Sequence, residues 1–416
     1  MEPCKVGYIM SRFPHLPETF ILREMIEMEK LGWEIALCPL IIQNQPVVHP
    51  QAQPFLNRAF KLPFLSPAQI FSNFRMWLKD PWLYLSTFLK VFKGNLSNVK
   101  FLIRALVVFP ISVQMAELMQ KENVRHIHAH YATHPALAAW VIHRLTRIPY
   151  SIAIHAHDIY TEKAMLQTKL EDAVFIAAIS EFNRNYLINL YGSKLGEKIS
   201  VIHCGVIPED YIEIKSANSF DILKIVSTGS LQPYKGQKFL IDACRLLKER
   251  GIPFHCQIIG GGELFSSLSN QISSLGLENS VELLGSRTQS EVSNLLANAN
   301  CYVQPSIITM SGKMEGIPVS IMEAMVCSIP VIATSISGIP ELVQHKITGL
   351  LVPPEDANEL VNALEWIREN PDETRRIVQN GRDLIINQFN LHKNVKQLSS
   401  QIQYWINNIN TTKIYS

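Results

Sequence analysis

The 416-residue sequence is short of charge: Asp, Glu, Lys and Arg together make up 18%, against about 25% in an average soluble protein. Neither sign dominates. Lys and Arg number 38 and Asp and Glu 36, a formal charge of +2, too small an excess for nucleic acid to be the main partner. The seven cysteines (Cys4, Cys38, Cys204, Cys244, Cys256, Cys301 and Cys327) form no C-x-x-C pair. Their scatter excludes a disulfide framework or cysteine zinc site and fits buried thiols in a reducing compartment. No run reaches the roughly 18–20 apolar residues of a spanning helix; the nearest, FLIRALVVFPISV, is cut by Arg104 and Pro110. The N-terminal MEPCKVGYIM has no basic region followed by an apolar one, so no secretory signal is expected and a cytoplasmic protein is. Internal repeats are also missing.

What is present is apolar surface to bury. Hydrophobic residues make up 47%, enough for the two or three domains that this length implies. In the second half the short apolar runs LKIVSTG, FHCQIIG, VELLG, CYVQP and PVIAT read as buried strands. Between them lie helix-length segments at 236–249, 263–275, 290–298 and 318–326. The first half repeats the pattern with KVGYIM, WEIALCPL, RHIHAHY, YSIAIHAH, VFIAAIS and ISVIHCG around helical patterns at 19–31, 135–146 and 181–191. Strands alternating with helices predict parallel sheets covered on both faces. The fold expected is α/β: two doubly wound, Rossmann-like domains facing across a cleft that gathers the strands' C-terminal ends. The polar stretch 208–221 suits a linker, giving domains at 1–207 and 222–391, with 392–416 as a terminal helix.

One segment interrupts the first series. From 64 to 110, Arg75, Lys79, Lys90, Lys93, Lys100 and Arg104 are interleaved with aromatics including Phe71, Phe74, Trp77, Trp82 and Phe88. That mixture on helix-forming sequence predicts either a surface for anionic lipid headgroups or aromatics packed inward with lysines in water.

The sharpest chemical feature is EGIPVSIME, Glu315 to Glu323. On one continuous helix the offset would be about 12 Å, too far for a hydrolytic pair at roughly 5–9.5 Å. Gly316 and Pro318 instead place Glu315 in a loop and Glu323 inside the helix that follows. Free N–H groups at that helix start form an anion site between the carboxylates. Polyol, anion and polyol in succession outline a nucleotide sugar. In STGSLQPYKG a strand ends at Gly229 and Lys235 opens the next helix, where a lysine neutralises phosphate as a point charge or is merely solvated. The GGG at 260–262 predicts close backbone approach to a ligand but is no dinucleotide fingerprint.

These motifs, with IIGGGE, PVIATSISGIPELV and GLLVPPED, resemble the retaining glycosyltransferases of family 4. The N-terminal SRFPHLPETFILREM, HAHYATHPA and SIAIHAHDIY are similar to its bacterial exopolysaccharide and colanic-acid branch. The resemblance implies a GT-B fold with an acceptor-binding first domain, a donor-binding second one and a last helix crossing back onto the first. It implies that Glu315 approaches the donor sugar, Glu323 the ribose, Lys235 the diphosphate, and the backbone of Gly316, Ile317, Pro318 and Val319 the sugar and diphosphate. Gly229, Ser230 and Gly285 complete the donor set, and His155 faces the reacting sugar. His128, His130 and Arg12 fall on the acceptor side. Ser230 departs from the family, where an arginine commonly stands; Arg12 or Arg287 is a candidate substitute. His126, His128 and His130 share a strand face and offer zinc ligand types. Three histidines on one short strand converge poorly and the family's chemistry needs no metal, so no metal and no cofactor are expected.

The function expected is transfer of a sugar from a UDP- or GDP-sugar to a saccharide acceptor, lipid-linked and in exopolysaccharide or cell-surface glycan synthesis. The enzyme would be cytoplasmic and peripheral at the inner membrane face through 64–110. The rival expectations are a nucleotide-sugar epimerase of the same fold and a non-catalytic nucleotide-sugar-binding scaffold.

Overall fold

The computed structural model describes residues 4–14, 19–44, 50–214 and 221–412; positions 15–18 of the N-terminal motif and 215–220 of the linker lie outside them. The chain divides into two compact units. One comprises Met1–Ile179, Asn183–Ile202 and Val395–Ser416, the other Ser180–Phe182 and His203–Asn394. The first boundary falls earlier than 207 because the chain has already joined the second unit: Val206 N–H donates to Phe389 O (3.0 Å) and Leu391 N–H to Val206 O (2.9 Å). The last falls at Asn394–Val395, inside a helix that runs Leu391–Thr412. Val395, Leu398, Ile402 and Ile406 form its buried stripe, three to four residues apart as helical spacing requires.

In the first unit six strands pair in parallel: β1 (Lys5–Phe13), β2 (Glu34–Ile42), β3 (His126–His130), β4 (Tyr150–Ile154), β5 (Phe175–Ala178) and β6 (Ile199–Val201). Their order is β2-β1-β3-β4-β5-β6, so the chain reverses direction across the sheet between β1 and β3. Every residue of β3, β4 and β5 is buried, which is why they read as unbroken runs rather than alternating ones.

The second unit holds β7 (Leu223–Thr228), β8 (Phe254–Ile259), β9 (Val281–Gly285), β10 (Cys301–Gln304), β11 (Val331–Thr334) and β12 (Leu350–Val352) in the order β12-β11-β10-β7-β8-β9. This is the Rossmann order, and its switch point lies between β7 and β10. The helix Gln237–Glu249 packs Leu240, Ile241, Cys244 and Leu247 against Ile225, Cys256, Ile258 and Val303. Strand β12 was not expected within GLLVPPED; at three residues it is too short to leave a pattern. All seven cysteines are free, five of them buried.

Within 64–110 one expectation changes, and the choice between outward and inward aromatics is met by both. The apolar stretch is not cut at Pro110: one helix runs Val99–Lys121 through it and is long and apolar enough to cross a membrane by length and composition, with 56% of its apolar window buried inside the protein. Helix Pro67–Lys79 buries Gln69, Ser72 and Met76, and helix Pro81–Asn95 buries Thr87, Val91 and Asn95. Many of their large apolar side chains point outward: Phe71, Phe74, Trp77, Leu85 and Leu89 are exposed, and Trp82 is 82% exposed, while Tyr84 and Phe88 pack edge-on against Phe109. Large apolar side chains thus occupy both faces of these helices, far more of them exposed than on an ordinary packed helix.

Candidate active site

Two loops of the second unit meet at the β7/β10 switch point. After β7 the chain turns through Gly229 and the short helical turn Pro233–Lys235. Gly236 then adopts φ +68°, and a Cβ there would stand 1.9 Å from Pro305 O. Only glycine lets this loop lie against the one leaving β10. The Lys235 stem runs beside Gly229, and its ammonium forms an ion pair with Glu315 in which each side chain is about a tenth exposed. Burial opposes the lysine's charge, but Glu315 and Tyr234 outweigh it and hold the ammonium above its usual range.

Glu315 stands outside any helix, and the helix Val319–Val326 starts behind Pro318 at its N-cap with no capping side chain. Its first amides therefore lack a side-chain acceptor. Glu323, inside the helix, accepts a 2.8 Å hydrogen bond from the Tyr211 hydroxyl. The two carboxylates thus sit on different backbone pieces, as the glycine and proline between them imply. Gly316 and Ile317 are braced by the loop after β11, where a Cβ on Gly338 would meet Ile317 Cγ1 at 2.7 Å and Gly316 O at 3.2 Å. Gly285 takes φ +69° with open space around its α-carbon.

Below these loops runs a buried polar chain that sequence reasoning missed. Thr228 Oγ1 and the Tyr302 hydroxyl lie 3.2 Å apart, Tyr302 donates to Gln304 Oε1 (2.7 Å), and Gln304 Nε2 donates to Ser306 Oγ (2.8 Å). Thr334 Oγ1 donates to Ser306 O (2.5 Å). The chain ties the C-terminal ends of β7, β10 and β11 together, and satisfied buried networks of this kind rigidify what they support. Its only signal in the sequence was polar residues inside apolar runs. The glycines at 260 and 262 let the neighbouring loop pack close, since a Cβ at either would meet Gly229 O at 1.9 Å or Leu231 O at 2.5 Å. Ser230 is a neutral residue on the loop after β7, and Arg287 lies 3.9 Å from Glu291 of the helix that follows it.

The first unit gathers the other candidates. His155 follows β4, and the buried Asp158 carboxylate accepts from the backbone N–H groups of His155 (3.1 Å), Ala156 (2.7 Å) and Ala132 (2.9 Å). Asp158 thereby joins the ends of β3 and β4. Asn183 Nδ2 donates to His155 O (2.7 Å). His130 lies between His155 (Nδ1 to Nε2, 3.4 Å) and Glu24 (Nε2 to Oε1, 3.2 Å), and Tyr8 donates to the same Glu24 oxygen (2.9 Å). His126 and His128 both share Ser151 Oγ at 2.8 Å. Burial, followed by His130 and its neighbours, keeps His155 well below the usual histidine range; burial also lowers His128, to about 3. Both rings are neutral near pH 7. Convergence is better than the strand alone suggested: Glu24, His128 and His130 bring three donor atoms within 4.8 Å of one another, with Glu24 supplied by the helix Thr19–Lys30. His128 and His130 are fully buried, and Arg12 is exposed near the end of β1.

Comparison with known proteins follows the same division. Residues 213–384 match the family described as glycosyl transferases group 1, and residues 90–210 that described as glycosyltransferase family 4. The amylovoran biosynthesis glycosyltransferase AmsK of Erwinia amylovora is 36% identical over 208 residues, 50% of this chain and 51% of that protein. The putative colanic acid biosynthesis glycosyltransferase WcaL of Escherichia coli K12 is 29% identical over 96% of this chain and 99% of its own. The chain therefore spans about half the length of the first relative and nearly all of the second. Among solved structures, Anabaena Alr3699/HepE in complex with UDP superposes with a TM-score of 0.71 at 19% identity, covering 96% of this chain and 100% of that one. At that identity the likeness shows the fold.

Proposed function

The chain belongs to glycosyltransferase family 4, in its exopolysaccharide branch and with the GT-B pair of Rossmann-like units, and from that premise we propose what it does. It moves a hexosyl group from a nucleoside-diphosphate sugar to a saccharide hydroxyl with retention of anomeric configuration. The observation that carries the reading is the Lys235–Glu315 ion pair at the β7/β10 switch point beside an uncapped helix start.

The pair is a charge reserve that a donor divides. The diphosphate takes Lys235 and the amides at Val319, and the freed Glu315 carboxylate accepts hydrogen bonds from sugar hydroxyls. Negative charge growing on the departing diphosphate is then met by a cation and backbone dipoles already in place, so little reorganisation is needed. Glu323 accepts from the ribose, its orientation set by Tyr211. His155, neutral and held by Asp158 and His130, positions the reacting sugar as an uncharged hydrogen-bonding ring. No nucleophilic side chain is assigned; the leaving phosphate oxygen takes the acceptor's proton. The nucleotide sugar is a co-substrate, and charge balance is assigned to Lys235 and the amides without a metal or cofactor.

The acceptor in this reading is lipid-linked, and the enzyme works as a peripheral protein on the cytoplasmic membrane face. The outward aromatics support it: Phe71, Phe74, Trp77 and Trp82 are exposed on the same pair of helices as exposed Lys79, Lys90 and Lys93. Aromatics for the headgroup boundary and cations for anionic lipid form a peripheral docking face. The test is release of nucleoside diphosphate from a panel of UDP- and GDP-sugars with and without lipid-linked saccharide. Release that ignores the acceptor would point to a hydrolase, donor converted without release or acceptor would point to an epimerase, and full turnover by Glu315→Ala or His155→Ala would remove the site assignment.

A further inference from the structure

We propose that Lys313 is the second cation of the donor-diphosphate site; the inference rests on the function proposed above and specifies that same site. Lys235 alone leaves the site close to neutral, because Glu315 offsets its charge. A sugar diphosphate brings two negative charges. Ser230 carries no charge, and Arg287 is paired with Glu291 at 3.9 Å.

Lys313 lies two positions before Glu315, on the loop leaving β10. Its Nζ stands 4.6 Å from the centre of the Tyr234 ring, while Lys235 Nζ stands 5.6 Å from the same centre. Two ammonium groups therefore flank one aromatic side chain. Lys313 differs from Lys235 in its partners: it donates to Gln232 Oε1 at 2.8 Å, and no carboxylate pairs with it among the described residues. It is half-buried, where a charge is screened less than on open surface. The loop fixes its position, since Thr309 N–H donates to Lys313 O (2.9 Å), Lys313 N–H donates to Thr309 Oγ1 (3.0 Å), and Gly312 turns the chain at φ +77°. A braced, uncompensated ammonium beside the paired lysine is what a doubly charged ligand requires at this point. Gln232 holds it until phosphate oxygens replace that neutral acceptor.

Binding of UDP, UMP, GDP and GMP to the full chain, by titration calorimetry at low and high salt, tests this. Wild type binds one diphosphate more tightly than its monophosphate. Lys313→Ala weakens that diphosphate about tenfold, changes the monophosphate by about threefold or less, and flattens the salt dependence. Lys313→Arg retains diphosphate affinity, and Gln232→Ala, which keeps the ammonium, stays within about threefold of wild type. Equal diphosphate affinity of wild type and Lys313→Ala, or equal weakening of mono- and diphosphate, overturns the assignment of Lys313 alone. Wild type that binds neither diphosphate contradicts the underlying function and this inference with it.

Discussion

Replacing Lys235 by methionine leaves Glu315 as a carboxylate with no cation in a site where about a tenth of its side chain meets solvent. Removing one partner of a buried pair typically costs 3–5 kcal/mol, because the remaining charge stays desolvated, whereas removing both is often nearly neutral. Allowing for the residual exposure, Lys235→Met costs about 2–4 kcal/mol. For a unit of this size that lowers its melting temperature by about 5–15 °C. Lys235→Met/Glu315→Gln returns to within about 1 kcal/mol of wild type. The lysine's titration does not confuse the comparison. Its folded pKa is raised above the ordinary 10.5, so its contribution is fully present below 10.5 and lost only as pH rises through the raised value. Differential scanning calorimetry at pH 7.5 reads the effect, and turnover measured alongside separates stability from chemistry: the double variant regains stability and remains inactive. A single Lys235→Met variant that melts with wild type would refute the buried-pair reasoning.

Three further outcomes follow from other parts of the chain. Neutralising Lys79, Lys90 and Lys93 to glutamine should lower partitioning to vesicles with 30 mol% anionic lipid by about 100-fold or more and leave turnover on a water-soluble acceptor unchanged; unchanged sedimentation with vesicles would leave the outward aromatics without a lipid role. Tyr211→Phe should raise the donor KM about three- to tenfold with kcat nearly intact, since its hydroxyl orients Glu323; a fall in kcat alone would contradict that. Burial, with Lys169 and Arg104 nearby, lowers His134 from 6.5 to about 4, so the unfolded chain binds a proton that the folded one refuses. Stability is then lost as pH falls from 6.5 to about 4, and His134→Phe should flatten the melting temperature over that window; an unaltered slope would show the ring titrating normally.

The sheets were legible because parallel strands buried on both faces leave unbroken apolar runs, and both switch points follow once the strands are ordered. Glu315, Pro318 and Glu323 were legible too, since glycine and proline dictate where a helix starts. What escaped reading depends on tertiary context. Pro110 was expected to break a helix that in fact continues to Lys121, most of its following residues packed within the unit. The basic-aromatic helices left two packings open because a periodic stripe has no sign: nothing local told that Met76 and Thr87 face inward and Trp82 outward. Tyr211, Gln304 and Lys313 carry no motif, and Glu24 meets His130 across 106 positions of sequence. At glycines 260 and 262 the structure adds a packing reason, the close approach of the neighbouring backbone, which the sequence could not show.

The central claim is that the site around Lys235 and Glu315 transfers sugar from a nucleotide donor to an acceptor. Nucleoside-diphosphate release by wild type and Glu315→Ala, each with and without saccharide acceptor, tests it most directly. The account predicts acceptor-dependent release by wild type, falling by at least about 100-fold in the variant. Release of equal rate in both proteins, or in wild type regardless of acceptor, would contradict it.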